Sequence, residues 1–356
     1  IDACGRAGEW EKALALVEEM KIVGVKPNVF SYNAAITACR NGGEWRRAVS
    51  LLREMPGLGV VPDVISYSAA ISAYGDGGLW REAVALLRKL PAAGVAPDVI
   101  CYTASISACA AEGAWEQALL LLREMSEKGM SPTALSYSAA ISACGKGRKW
   151  EQALALLREM QAMGMRPNSF CYNASISACG RCGEWRQAVG LLREMAVAGV
   201  VPDAVSYSSA IATSGEGGEW ELAVALLRES LRVGVAPEVV GFSSAIVACG
   251  KGGHGQWKPA LALLKAMPAA GIEPNRVSYN SAITACENGE EWDRAVELLR
   301  EMTAVGVAPD VVSYSAAISA CGKGGRWEEA VALLREMPSV GIDPNRVSYS
   351  SAIAAC

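Results

Sequence analysis

Two helical patterns alternate along this chain. Within Ser136 to Cys144, the residues Tyr137, Ile141 and Cys144 fall at i, i+4 and i+7, one face of a helix. A turn is expected at Gly145-Lys146-Gly147. A second pattern then runs from Trp150 through Ala153, Leu154 and Leu157 to Met160, with Glu151, Arg158 and Glu159 on its opposite, solvated face. Gly164 breaks it and Pro167 prevents its resumption. The same pair of patterns recurs along the whole length. All ten tryptophans, Trp10, Trp45, Trp80, Trp115, Trp150, Trp185, Trp220, Trp257, Trp292 and Trp327, open the second pattern, 35 residues apart except for one step of 37. A fixed period of this size predicts an all-α solenoid without β structure. Each Trp is expected to pack between the helices of its own unit or against the next.

Counting from the residue after each Pro-Asp or Pro-Asn pair, or after Pro132-Thr133 and Pro237-Glu238 in its place, units begin at Val29, Val64, Val99, Ala134, Ser169, Ala204, Val239, Arg276 and Val311. Residues 1–356 thus read as one array: a partial unit (1–28), nine complete units (29–345) and a second partial unit (346–356). A two-residue insertion falls in the unit 239–275, near Gly253-His254-Gly255, with Pro259 in the first turn of the helix that follows. Terminal units of a solenoid need polar caps, so a chain that opens and closes partway through a unit is expected to be a piece of a longer protein.

Composition narrows the chemistry. At 51% apolar residues, a continuous core can be built. The longest uncharged stretch, Gly129 to Gly145, is 17 residues, Ser-rich and interrupted by Pro132, so no membrane span is expected. Nine of twelve cysteines share one unit position: Cys4, Cys39, Cys109, Cys144, Cys179, Cys249, Cys286, Cys321 and Cys356. Stacked helices lie about 8–10 Å apart, beyond the roughly 4.4–6.8 Å reach of a disulfide, so these read as buried apolar residues of a reducing compartment. Cys179-Gly-Arg-Cys182 matches C-x-x-C but lacks the second pair of a zinc site. With His254 the only histidine, neither a Ser-His-Asp triad elsewhere in the chain nor a His-x-Glu deaminase motif is present. No catalysis, metal or cofactor is expected.

Two polar columns remain inside the nearly invariant frame. One follows the aromatic of each first helix: Asn33, Ser68, Thr103, Ser138, Asn173, Ser208, Ser243, Asn280, Ser315 and Ser350. The other closes each unit: Asn28, Asp63, Asp98, Thr133, Asn168, Asp203, Glu238, Asn275, Asp310 and Asn345. N-capping accounts for Asp and Asn in the second column, but not for two columns that vary independently.

With these columns, the 35-residue period and the Pro-Asp/Asn ending, the chain resembles a pentatricopeptide repeat (PPR) protein of the pure 35-residue class along essentially its whole length. The resemblance implies a right-handed superhelix of αα-hairpins whose first helices line a groove for single-stranded RNA, one base per unit, read by two side chains. It assigns reading to the pairs Asn33/Asp63, Ser68/Asp98, Thr103/Thr133, Ser138/Asn168, Asn173/Asp203, Ser208/Glu238, Ser243/Asn275, Asn280/Asp310 and Ser315/Asn345. It assigns base sandwiching to Phe30, Ile65, Ile100, Leu135, Phe170, Val205, Val240, Val277 and Val312, for which ordinary packing between units is the other reading. Lys or Arg just after the first helix would meet phosphates. Arg6, Lys146, Arg181, Lys251 and Lys323 fit, whereas Asn41, Asp76, Ala111, Glu216 and Asn288 do not.

By the same resemblance, Asn with Asp implies U, Ser or Thr with Asp implies G, and Ser or Thr with Asn implies A. The implied site is 5′-UGnAUnAUA-3′, with purines expected at the two gaps. A mitochondrial or plastid setting, in RNA stabilisation, processing or translation, is implied likewise. The net charge of −4 and pI of 5.4 do not favour a nucleic-acid partner. They favour the rival reading: a scaffold subunit of an organellar ribosome or other large complex, contacting protein subunits.

Overall fold

A computed structural model describes residues 9–252 and 256–355. Cys4, Arg6, His254 with the inserted turn, and Cys356 lie outside the described residues. These hold twenty α-helices and no strand. The chain divides at Ala178–Cys179 into two compact units.

In the first, α1 (Trp10–Ile22) precedes the hairpins α2/α3 (Val29–Asn41, Trp45–Glu54), α4/α5 (Val64–Asp76, Trp80–Lys89), α6/α7 (Val99–Glu112, Trp115–Glu127) and α8/α9 (Ala134–Lys146, Trp150–Ala162), then α10 (Ser169–Arg181) up to Ala178. In the second, α11 (Trp185–Val197) precedes α12/α13 (Ala204–Glu216, Trp220–Arg232), α14/α15 (Val239–Lys251, Trp257–Ala269), α16/α17 (Arg276–Asn288, Trp292–Ala304) and α18/α19 (Val311–Lys323, Trp327–Glu336), then α20 (Arg346–Ala355). Within each unit, first helices pack on first helices (α4 on α6, α6 on α8; α14 on α16, α16 on α18) and second helices bridge them. Three second helices stop after ten residues and tighten into 3₁₀ turns at Pro56, Pro91 and Pro338. There proline removes an N–H that the helix would use.

The core follows the expected faces, with Tyr137, Ile141 and Cys144 buried. On the second helix, Leu156 is buried beside Ala153, Leu157 and Met160, while Leu154 is half-buried. Burial pushes the thiols of Cys109 and Cys286 up to about 12, consistent with inert packing residues.

Three details refine the expectations. First, Gly145 and Lys146 lie inside α8, not in a turn. Gly145 is there for approach: a Cβ on it would sit 3.1 Å from Ala178 Cβ, and Gly75 stands equally close to Ala108. Second, of the two packings expected for the tryptophans, contact with the next hairpin is seen. A Cβ on Gly77 would lie 2.9 Å from the Trp45 ring, and Gly147 and Gly324 lie as closely against Trp115 and Trp292. These rings stay half-buried, and Trp327 is 52% exposed.

Third, Glu159 is more than a solvated residue. It accepts the Tyr137 hydroxyl at 3.0 Å, tying α8 to α9. The same clamp joins Tyr102 to Glu124 (2.8 Å) and Tyr314 to Glu336 (2.9 Å). Arg88 and Arg300 of the preceding hairpins reach those carboxylates at 2.7 Å. Burial, then the carboxylate, pushes the Tyr137 hydroxyl up to about 12, so it remains a donor. Where Phe242 replaces tyrosine, Ala266 stands in the place of the glutamate.

The left-handed residue of the inter-helix turn is glycine at Gly43, Gly183 and Gly325 but Glu290 (φ 59°) after α16. Replacing Glu290 by Gly should therefore raise the urea midpoint, by about 1 kcal/mol of relieved backbone strain. Gly147→Ala should lower it by about 1–3 kcal/mol, because the new methyl overlaps Trp115. Equal midpoints for the two variants would contradict this account.

Candidate nucleic-acid interface

The closing column does cap the following helix. Asn28, Asp63, Asp98, Thr133, Asn168, Asp203, Asn275, Asp310 and Asn345 each accept the backbone N–H three residues on. Thr133 thus joins Asp and Asn in the role. Glu238, one methylene too long, makes no such bond. Capping and a second task are compatible, because capping uses one oxygen. At Asp63, the Ser66 N–H (2.9 Å), the Ser66 hydroxyl (2.9 Å) and the Asn33 amide (3.0 Å) all meet Oδ1. Asp310 repeats this with Ser313 and Asn280, while its Oδ2 faces the Arg276 guanidinium at 3.7 Å.

The first polar column is mostly buried, including Asn33, Thr103, Ser138, Ser208, Ser243 and Ser315. Ser68, Asn173 and Asn280 are half-buried. Its partners come from the next hairpin. The Ser66 hydroxyl donates to Asn33 Oδ1 at 2.5 Å and that of Ser313 to Asn280 Oδ1 at 2.6 Å. Thr103 pairs with Ser136 at 2.7 Å, Ser243 with Ser278 and Ser315 with Ser348, both at 2.9 Å. Those serines also touch Thr133, Asn275 and Asn345, so in these five pairs the two columns are joined directly or through one hydroxyl. Ser68 and Ser138 instead turn back to the carbonyls of Ile65 and Leu135, both at 3.0 Å. The Ser208 hydroxyl is buried without a partner.

The apolar column lies largely exposed. Phe30, Ile65, Ile100, Leu135, Phe170, Val205, Val240, Val277 and Val312 are 52–75% exposed, and Val347, which continues the column, is similar. In the first unit, Ile100 and Leu135 line a cleft of about 480 Å³ together with Thr103 and Thr133. In the second, Val240 and Val277 line one of about 250 Å³ with Ser243 and Asn275. Each cleft brings together two members of the apolar column and one pair of the polar columns.

The cations are less available. Lys146 donates to the Ala111 carbonyl at 2.8 Å, and Lys323 pairs with Glu287 at 3.1 Å. Arg181 is exposed at the end of α10, and Lys251 lines the second cleft beside Glu216. Arg6 lies outside the described residues. Two arginines were missed in the sequence. Arg40 lines the first cleft, paired with Asp76 at 3.0 Å, and Arg276 faces Asp310. Arg40 stands one place before the cationic column, and Arg276 opens a unit where its counterparts are mostly apolar.

Among the described residues no cluster of His, Cys, Asp and Glu could hold a metal, and no helix is long and apolar enough to cross a membrane. The Pentatricopeptide repeat domain family matches residues 1–77, 225–289 and 262–326, half of the chain. The PPR repeat family matches 97–146, 136–181, 167–213 and 309–356, and the PPR repeat matches 65–95. The chain belongs to the pentatricopeptide repeat family. No curated protein sequence matches it. Among solved structures, it resembles the pentatricopeptide repeat protein PPR10 from maize (TM-score 0.55, 20% identity), with 99% of this chain covered. It spans 59% of that protein's length. It also resembles yeast Rmd9p, solved with a 16-nucleotide target RNA (TM-score 0.51, 10% identity, covering 99% of this chain and 83% of the other). These likenesses give the fold, a solenoid of tandem helical hairpins.

Burial would raise the Asp310 carboxyl, but hydrogen bonds from Ser313 and Asn280 and the nearby Arg276 outweigh it, holding the group below its ordinary 3.8. A depressed carboxyl stabilises above its unfolded pKa, and that contribution is lost as pH falls through the lower folded value. Asp310→Asn should therefore cost about 1 kcal/mol at neutral pH. The difference should close below about pH 4. An unchanged gap between pH 7 and pH 3 would contradict this electrostatic role.

Proposed function

We propose that this protein binds single-stranded RNA sequence-selectively, one base to each hairpin, without catalysis. The supporting observation is the cleft that pairs Ile100 and Leu135 with Thr103 and Thr133. Exposed aliphatic side chains offer sequence-tolerant contact to base faces. Fixed hydroxyl, amide and carboxylate groups between them supply the hydrogen bonds that distinguish base edges. The yeast protein of like fold was solved with a target RNA. Through its family, the preferred site is 5′-UGnAUnAUA-3′ and the setting a mitochondrion or plastid, where such a footprint stabilises, processes or positions a transcript.

The scaffold reading draws on one observation: Lys146 and Lys323 are already engaged by neighbours in a chain of net charge −4. RNA binding should accordingly depend weakly on salt, with a slope of about −0.7 per phosphate contacted. Single strands should be preferred over duplex at low salt, and absence of that preference would favour the scaffold. The sharper test is Asn280→Ser with Asp310→Asn, which leaves the cap and backbone in place. It should convert the eighth base preference from U to A. Unchanged binding to the U and A versions of the site would show that these columns do not read bases.

A further inference from the structure

The polar residue after each aromatic has a systematic dependence on a position outside both columns. That position is the third residue of the following hairpin, and it varies among serine, cysteine and glycine. At Ser66, Ser136, Ser278, Ser313 and Ser348 the hydroxyl bonds the reading side chain of the preceding hairpin at 2.5–2.9 Å. Where it is Cys101 or Cys171, the reading hydroxyl turns back onto its own helix, and the cysteine Sγ lies 3.7–3.9 Å from another backbone carbonyl. Where it is Gly241, the hydroxyl of Ser208 is buried and bonds to nothing. Thus three residue types correspond to three states of the reading group.

We infer that this third residue is a positioning residue for base recognition, a determinant of how sharply each hairpin discriminates among bases. The inference rests on the base reading proposed above. Its physical basis is preorganisation. Ser313 donates to Asn280 Oδ1 while the Asn280 amide donates to Asp310, so the amide cannot flip, and its polar edge meets a base in one orientation. A thiol is a weak donor and bonds at longer range, so cysteine leaves the reading group to its own backbone. That bond must break before the hydroxyl can face a base, and the cost falls on right and wrong bases alike. Glycine supplies neither bond, so the Ser208 hydroxyl has no fixed direction.

The test measures binding of single-stranded RNAs that carry each of the four bases at one position, for the whole chain and two opposite variants. Ser313→Cys should lower discrimination at the eighth base about three- to tenfold, the worth of one hydrogen bond. Cys101→Ser should raise it at the second base by a similar factor. Ratios at all other positions should stay as in the parent. Ser313 also accepts the Asp310 N–H, so its loss lowers stability. A purely structural role would weaken all RNAs together, whereas the per-base ratio isolates positioning, and Ser313→Thr should restore it. If the parent discriminates and neither variant changes its ratio, the third residue does not position the reader and this inference falls alone. If the parent shows no base preference at any position, the base-reading proposal and this inference fall together.

Discussion

The interaction on which the rest depends is the contact between consecutive first helices through glycine and alanine. Gly145 against Ala178, Gly215 against Ala248 and Gly322 against Ala355 leave no room for another methyl. Helix packing distance follows side-chain size at the contact. Small residues here draw neighbouring first helices together, and only at that spacing can a serine hydroxyl at the start of one helix reach a side chain of the one before. The polar bridges are therefore a product of apolar packing. A bulkier residue at Gly145 would spread α8 from α10 and shift the groups at their N-terminal ends.

The helices were legible in the sequence because their signals are local and repeated. Every first helix that follows a Pro-Asp or Pro-Asn pair starts at the residue after it, and every described second helix starts at its Trp. Capping chemistry and apolar spacing are read over a few residues, and ten copies average out the exceptions. The polar columns stood out because they vary inside a frame that does not. What escaped were contacts between side chains far apart in the chain. The Tyr137–Glu159 clamp joins positions 22 apart, and Glu159 on its own helix looks like any solvated carboxylate. Nor does sequence distinguish a glycine that turns the chain from one, like Gly145, that admits a neighbouring helix.

The partners of the cations escaped for a related reason. A periodic Lys or Arg beside a proposed phosphate path looks available, yet availability depends on what the next helix places nearby. The Ala111 carbonyl takes Lys146, and Glu287 takes Lys323. Electrostatics at these clefts is consequently near balance, with Arg40 beside Asp76 and Lys251 beside Glu216. In the proposed RNA reading, recognition rests more on stacking and directed hydrogen bonds than on charge, which suits discrimination between bases better than tight non-specific capture.

The serine that links two hairpins also changes what counts as a module. Asn33, Asp63 and Ser66 form one knot, yet Ser66 belongs to the hairpin after the one that carries Asn33. A transplant cut at the hairpin border would separate the proposed reader from the hydroxyl bonded to it and would install a foreign serine, cysteine or glycine at each seam. The exchangeable cassette runs instead from the aromatic of one first helix to the third residue of the next. An array re-coded in such cassettes would keep every junction native, and its seams would fall between side chains that do not need to recognise each other.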